Sequence, residues 1–224
     1  MIPPMEGWRP GDDSRPVLIG LTGPIGCGKS TIASYLREIG GLVIDADDLA
    51  REATAPASSA LPEIRQRFGE RVFDSDGALD RAALAKVVFD DAAALADLER
   101  IVHPRVRELV EARLASAARD RVPLAVVEAI KLVEGGLADR CDEVWIVDCN
   151  PATQRARLLG RGAAPDDIDR RLATQGDGFA QRLAAQLDGR VPTRILSTNG
   201  STDDVRDVVE EYLAELLDRP LTRS

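Results

Sequence analysis

Gly23-Pro24-Ile25-Gly26-Cys27-Gly28-Lys29-Ser30 fits the pattern G-x-x-x-x-G-K-[ST] at every fixed position. Each fixed residue has a physical task. Glycines let backbone N–H groups curl around phosphate oxygens without Cβ clashes. A helix opening near Lys29 adds its positive dipole end and unpaired N–H groups. The Lys29 ammonium suits the β- and γ-phosphates, and the Ser30 hydroxyl suits Mg²⁺. In a chain of this length a chance match arises roughly once in a hundred. The run also has the context the motif demands. Residues 17–22 (VLIGLT) form a short apolar stretch between Pro16 and Gly23 and predict a buried strand. Residues 30–39 have helical periodicity and stop at Gly40-Gly41.

Working outward, residues 42–44 predict a second buried strand leading into Asp45-Ala46-Asp47. Residues 61–119 predict mostly helix, broken by a turn at Asp74-Ser75-Asp76-Gly77. Residues 124–127 and 144–147 predict a third and a fourth strand, 194–197 a weak fifth. Residues 151–161 and 166–187 predict helix, and Ser201 caps a last amphipathic helix reaching Leu217. Strands alternating with helices imply an α/β fold of the P-loop type, a parallel sheet covered on both faces.

The totals narrow the function. The 224 residues suit one P-loop domain over 17–218 after a disordered tail over 1–16, and no oligomeric state is encoded in them. A net charge of -9 argues against a nucleic-acid partner, which needs a basic face. No apolar run of about 18 residues predicts a membrane span, and the polar start lacks a signal-peptide core. A cytoplasmic protein is expected. The three cysteines, Cys27, Cys141 and Cys149, have no paired spacing that suggests zinc or a disulfide framework. Cys27, at a helix N-terminus near Lys29, is expected to be a reactive thiol covered by bound ATP. The loop alone does not choose among kinases, ATPases and GTPases. None of the three lysines follows an asparagine, so the Asn-Lys-x-Asp motif of guanine recognition is missing.

The second strand sharpens the choice. Val43-Ile44-Asp45-Ala46-Asp47-Asp48-Leu49-Ala50-Arg51 resembles the Val-Ile-Asp-Ala-Asp-x-x-Ala-Arg signature of dephospho-coenzyme A kinases. Further matches follow in that family's order: Phe68-Gly69, Asp76 to Leu84, Val88-Phe89, Leu98 to Val106, Pro151 to Arg157, Arg161 and Gln175. The resemblance covers roughly 18–217. It implies transfer of the ATP γ-phosphoryl group to the ribose 3′-hydroxyl of dephospho-coenzyme A, with Mg²⁺ present. It implies a helical acceptor-binding insertion near 55–120 and a lid near 155–187. Asp47 becomes the base that orients the acceptor hydroxyl, with Asp45 and Asp48 as neighbours able to compete. Gly23, Gly26, Cys27, Gly28, Lys29, Ser30 and Thr31 hold the nucleotide, and Lys29 and Arg157 are catalytic. Arg157 and Arg161, four apart on one helix face, close over ATP.

Two stretches depart from the family pattern. Ile130-Lys131-Leu132-Val133-Glu134 stands where relatives have Pro-Leu-Leu-Phe-Glu. Lys131 is one of only three lysines among 29 basic residues. It suits a compact charge at the acceptor or an ion pair with Glu128. Glu128 itself suits a water bound to Mg²⁺. In 192–200 only the Asn199-Gly200 end matches, which leaves adenine recognition open. His103, the single histidine, reads either as an acceptor contact or as a structural ring beside Pro104.

Overall fold

The computed structural model describes residues 15–218 except 90 and 177. The tail expected over 1–16 therefore lies outside the described residues save its last two. Of those, Arg15 forks onto the Asp142 carboxylate at 2.7 and 3.1 Å, while Leu18 N–H donates to the same group at 2.8 Å. Contacts divide the chain into two compact units, one running to Ile44 and resuming at Leu114, the other Asp45–Arg113.

The first unit is built on β1 (Val17–Thr22), β2 (Leu42–Asp45), β3 (Leu124–Glu128), β4 (Glu143–Asp148) and β5 (Thr193–Ser197). Their order is β2-β3-β1-β4-β5, and β1 pairs in parallel with both β3 and β4. All six residues of β1 are buried, as an apolar run without polar alternation requires of a central parallel strand. Its side chains alternate between two layers. Val17, Ile19 and Leu21 join Leu124, Val126, Trp145 and Val147 under α1 (Lys29–Glu38) and α9 (Thr202–Asp218). On the other face a Cβ at Gly20 would meet Leu132 and Cys141 at 2.6 and 2.8 Å. Leu132 is thus the core residue of the divergent 130–134 stretch. With β1 between strands reached in opposite directions, the carboxyl edge beside it is the switch point where such sheets take ligands.

Helix termini follow the sequence signals. Ser201 Oγ accepts from Asp204 N–H, and the Asp204 carboxylate accepts from Ser201 N–H, closing a box at the start of α9. The Ser201 hydroxyl donating to the Asp204 carboxylate, and then the Ser201 N–H, hold that carboxyl below its usual range. The helix expected over 166–187 is two helices, α7 (Pro165–Gln175) and α8 (Phe179–Leu187). Gly176 and Gly178 between them take φ of 65° and 66°, which no helix can pass through.

The second unit carries α2 (Ala46–Glu52), α3 (Ala60–Phe68), α4 (Arg81–Phe89) and most of α5 (Ala92–Arg119). Ile64, Phe68, Val72 and Leu84 form its own small core. The expected turn is present: the Asp74 carboxylate accepts from Asp76 and Ala78 N–H, and Phe73 bridges Leu79.

One polar cluster crosses the sheet's β4–β5 edge. The Glu143 side chain, 1% exposed, accepts from Trp145 Nε1 and from Arg194 Nε, each at 2.7 Å. Removing one partner of a buried pair strands the other. Glu143→Leu is expected to cost about 3 kcal/mol in urea unfolding, and Glu143→Leu with Arg194→Met to recover most of it. A single mutant of wild-type stability would show that solvent already screens the pair.

Candidate active site

The phosphate loop begins where β1 ends. Gly23 has φ of 140°, and a Cβ there would lie 2.2 Å from the Val147 carbonyl oxygen. Only glycine fits. At Gly26 φ is 81°, and a Cβ would stand 2.9 Å from Leu158 Cγ. Gly28, left-handed at φ 93°, is the N-cap that launches α1 at Lys29. Lys29 is 8% exposed, and its Nζ donates to the Gly23 and Pro24 carbonyls at 2.9 and 3.1 Å. Pro24, which lacks a donor, thus supplies an acceptor. Ser30 and Thr31 are exposed in the first turn, with Ser30 Oγ 3.2 Å from Glu128 Oε1 at the end of β3.

Residues distant in sequence hold the loop's outer side. Gln154, on α6 (Pro151–Gly160), donates from Nε2 to the Ile25 carbonyl at 2.6 Å. Thr198, 3% exposed just beyond β5, donates from Oγ1 to the Cys27 carbonyl at 2.7 Å. Its own N–H donates to the Asp148 carbonyl at 2.9 Å. Arg157 then clasps Thr198, Nη1 on Oγ1 at 2.9 Å and Nη2 on the carbonyl at 2.8 Å. Asn199 Oδ1 accepts from Asn150 N–H at 2.8 Å, so the matching end of the 192–200 stretch anchors the start of α6. Sequence reading passed over Thr198 altogether. A threonine closing a weak strand gives no signal until β5 is laid beside β4.

Beside the loop a cavity of about 380 Å³ is lined by Gly28, Thr31, Tyr35, Arg157, Arg161 and Thr198, among others. It therefore gathers four of the expected nucleotide-binding residues. Tyr35 Oη donates to Glu210 Oε1 at 2.5 Å, and Arg206 stacks 5.0 Å over its ring. Burial first, and the Glu210 contact next, push the Tyr35 hydroxyl up to about 12. It stays protonated at any working pH.

The cysteine expectation is overturned. Cys27 is fully buried and forms a disulfide with Cys149, their Cα atoms 5.3 Å apart across 122 residues of sequence. Its side chain points into the core beneath the loop, which removes it from both alkylating reagents and nucleotide. Cys141 is free and buried, and burial pushes its thiol up to about 12.

The three aspartates after β2 separate by task. Asp45 is the N-cap of α2, its carboxylate accepting from Asp47 and Asp48 N–H at 2.8 and 3.3 Å. Asp48 pairs with Arg51 at 2.5 Å. Asp47 lies exposed in the first turn, its side chain not engaged in the cap. In the same unit His103 lies half-buried on α5. Lys131 is exposed in the turn after β3, where its carbonyl accepts from Gly135 N–H at 2.8 Å.

A model of the family described as dephospho-CoA kinase matches residues 17–188. The chain belongs to the dephospho-CoA kinase family. It is 42% identical to a dephospho-CoA kinase of Geobacter sulfurreducens, over 88% of this chain and 98% of that one. Among solved structures it is similar to TT1252 from Thermus thermophilus, with a TM-score of 0.72, 34% identity and coverage of 90% and 98%. A dephospho-CoA kinase from Campylobacter jejuni shares the fold at a TM-score of 0.57, 19% identity and coverage of 89% and 96%.

The donors present fit the Mg²⁺ expected of this dephospho-CoA kinase family member. Ser30 and Glu128 offer a hydroxyl and a carboxylate together, hard oxygens that suit the ion. No group of three or more His, Cys, Asp or Glu among the described residues forms a cage.

Arg157 makes two directed bonds that a lysine cannot reproduce. Arg157→Lys is expected to weaken ATP binding about ten-fold by calorimetry, given the usual worth of charged hydrogen bonds. Unchanged affinity would remove Arg157 from the nucleotide site.

Proposed function

We propose that this chain transfers the γ-phosphoryl group of ATP to the ribose 3′-hydroxyl of dephospho-coenzyme A, giving coenzyme A and ADP. One observation carries the reading: in a member of this family, the Lys29 loop opens beside a cavity walled by Arg157 and Arg161. Backbone N–H groups of 26–30 and the α1 dipole take the phosphates. Lys29 exchanges its carbonyl contacts for phosphate oxygens and neutralises charge that builds during transfer. Arg157 and Arg161 cover the nucleotide from α6. Asp47 accepts the proton of the acceptor hydroxyl as the new P–O bond forms. The resemblance of 43–51 to the family signature supports that choice among the three. Ser30 Oγ would hold Mg²⁺ and Glu128 a water on that ion, which would screen the phosphate charges. The family and the charge-rich, acidic composition support a cytoplasmic enzyme whose partners are small molecules. We extend the reading to a helical acceptor-binding insertion near 55–120, most of which lies in the compact unit Asp45–Arg113.

ADP release coupled to a reporter, run with ATP and a panel of acceptors, tests the activity. Turnover is expected only with dephospho-coenzyme A. ATP consumed equally without acceptor would sink the proposal. Two variants separate the roles. Lys29→Ala should lose both ATP affinity and turnover. Asp47→Asn should keep ATP affinity while turnover falls by about 10² to 10⁴, the usual range for general-base assistance. Wild-type turnover in Asp47→Asn would end its assignment as base.

A further inference from the structure

We propose that Cys27 and Cys149 are a reversible thiol–disulfide modification site in the floor of the phosphate loop, through which thiol redox state sets nucleotide affinity. The proposal rests on the loop binding nucleotide, as in the function above. The bond's location carries it. Cys27 lies between Gly26 and Gly28, both at positive φ, within the segment whose N–H groups meet phosphate. Cys149 lies between Asp148, whose carbonyl takes Thr198 N–H, and Asn150, which caps α6 through Thr153 N–H at 2.8 Å. The bond thus fastens the loop to the platform that launches α6, the helix of Gln154 and Arg157. Cys27 is also tied there through its carbonyl, which accepts from Thr198 Oγ1 at 2.7 Å. With the bond open, the loop keeps the hydrogen bonds from Thr198 and Gln154 but loses its covalent tie there, and samples more conformations. With it closed, part of the ordering entropy of nucleotide binding is removed in advance.

The chemistry balances as thiol exchange. Cys149 is 7% exposed and Cys27 fully buried, so the thiolate of Cys149 attacks a low-molecular-weight disulfide and releases one thiol. Cys27 then attacks Cys149 Sγ, forms the Cys27–Cys149 bond and releases the second thiol. Two protons and two electrons pass to the small disulfide, and a dithiol reverses the step. Cys141, free and buried apart from the pair, is the internal spectator.

The test equilibrates the full chain in reduced and oxidised glutathione across a range of ratios. Thiols are then counted by alkylation and mass spectrometry after denaturation, and ADP affinity is measured by calorimetry at each ratio. Expected are three thiols in the reduced limit and one in the oxidised limit, with ADP bound about three-fold more tightly by the oxidised form. Linkage requires ADP to favour the disulfide by the same factor, lowering its midpoint by about 14 mV. Cys149→Ser, outside the binding machinery, should bind ADP like the reduced wild type at every ratio. Cys149→Ala should repeat that result. Three thiols at every ratio would overturn the proposal, and so would oxidised protein that binds ADP no more tightly than reduced. A reduced protein that binds ADP but leaves dephospho-coenzyme A untouched would refute the function and leave this site standing.

Discussion

The Val147 carbonyl oxygen occupies, to within 2.2 Å, the position a Cβ on residue 23 would take. This contact seats the phosphate loop directly on β4, and much of the site follows from it. A loop pressed so closely to one strand is carried by whatever extends from that strand. Here the extension is Cys149, then Asn150, then α6 with Gln154 and Arg157. Gln154 and Thr198 satisfy loop carbonyls from that side. The nucleotide pocket is therefore a consequence of how β4 and β5 terminate beside β1.

Electrostatics work locally against the net charge. The chain carries -9 overall, yet Lys29, Arg157 and Arg161 gather around one loop. Acidic residues elsewhere hold many of the other arginines in ion pairs, such as Arg113 with Glu52 and Arg105 with Glu63. Arg157 is held by oxygens of Thr198, with no carboxylate in that clasp.

The three aspartates after β2 show how far residue type carries an argument. Composition and spacing made Asp45, Asp47 and Asp48 near equals. Capping geometry separated them, because an N-cap must precede the first helical residue and point its oxygen back at the N–H groups that follow. Asp45 alone meets that requirement. A similar local rule explains the break between α7 and α8, where two glycines at positive φ end one helix and begin another. The two glycines stand in the sequence inside the stretch 166–187 that reads as one helix.

Local chemistry was legible from the sequence. The phosphate loop, the strands on either side of it, the Ser201 cap and the Asp74 turn each depend on residues within a few positions of one another, whose preferences act whatever the rest of the chain does. The family signature is of the same kind, a run of neighbours. What the tertiary structure alone decided depends on strand order. The Cys27–Cys149 bond joins residues 122 apart, and Thr198 reaches Cys27 only because β5 lies next to β4, and β4 next to β1. No local preference at a cysteine or a threonine encodes that adjacency. It arises when the apolar strands bury one another in the order β2-β3-β1-β4-β5, which brings the ends of β1, β4 and β5 to one edge and their polar residues into bonding distance.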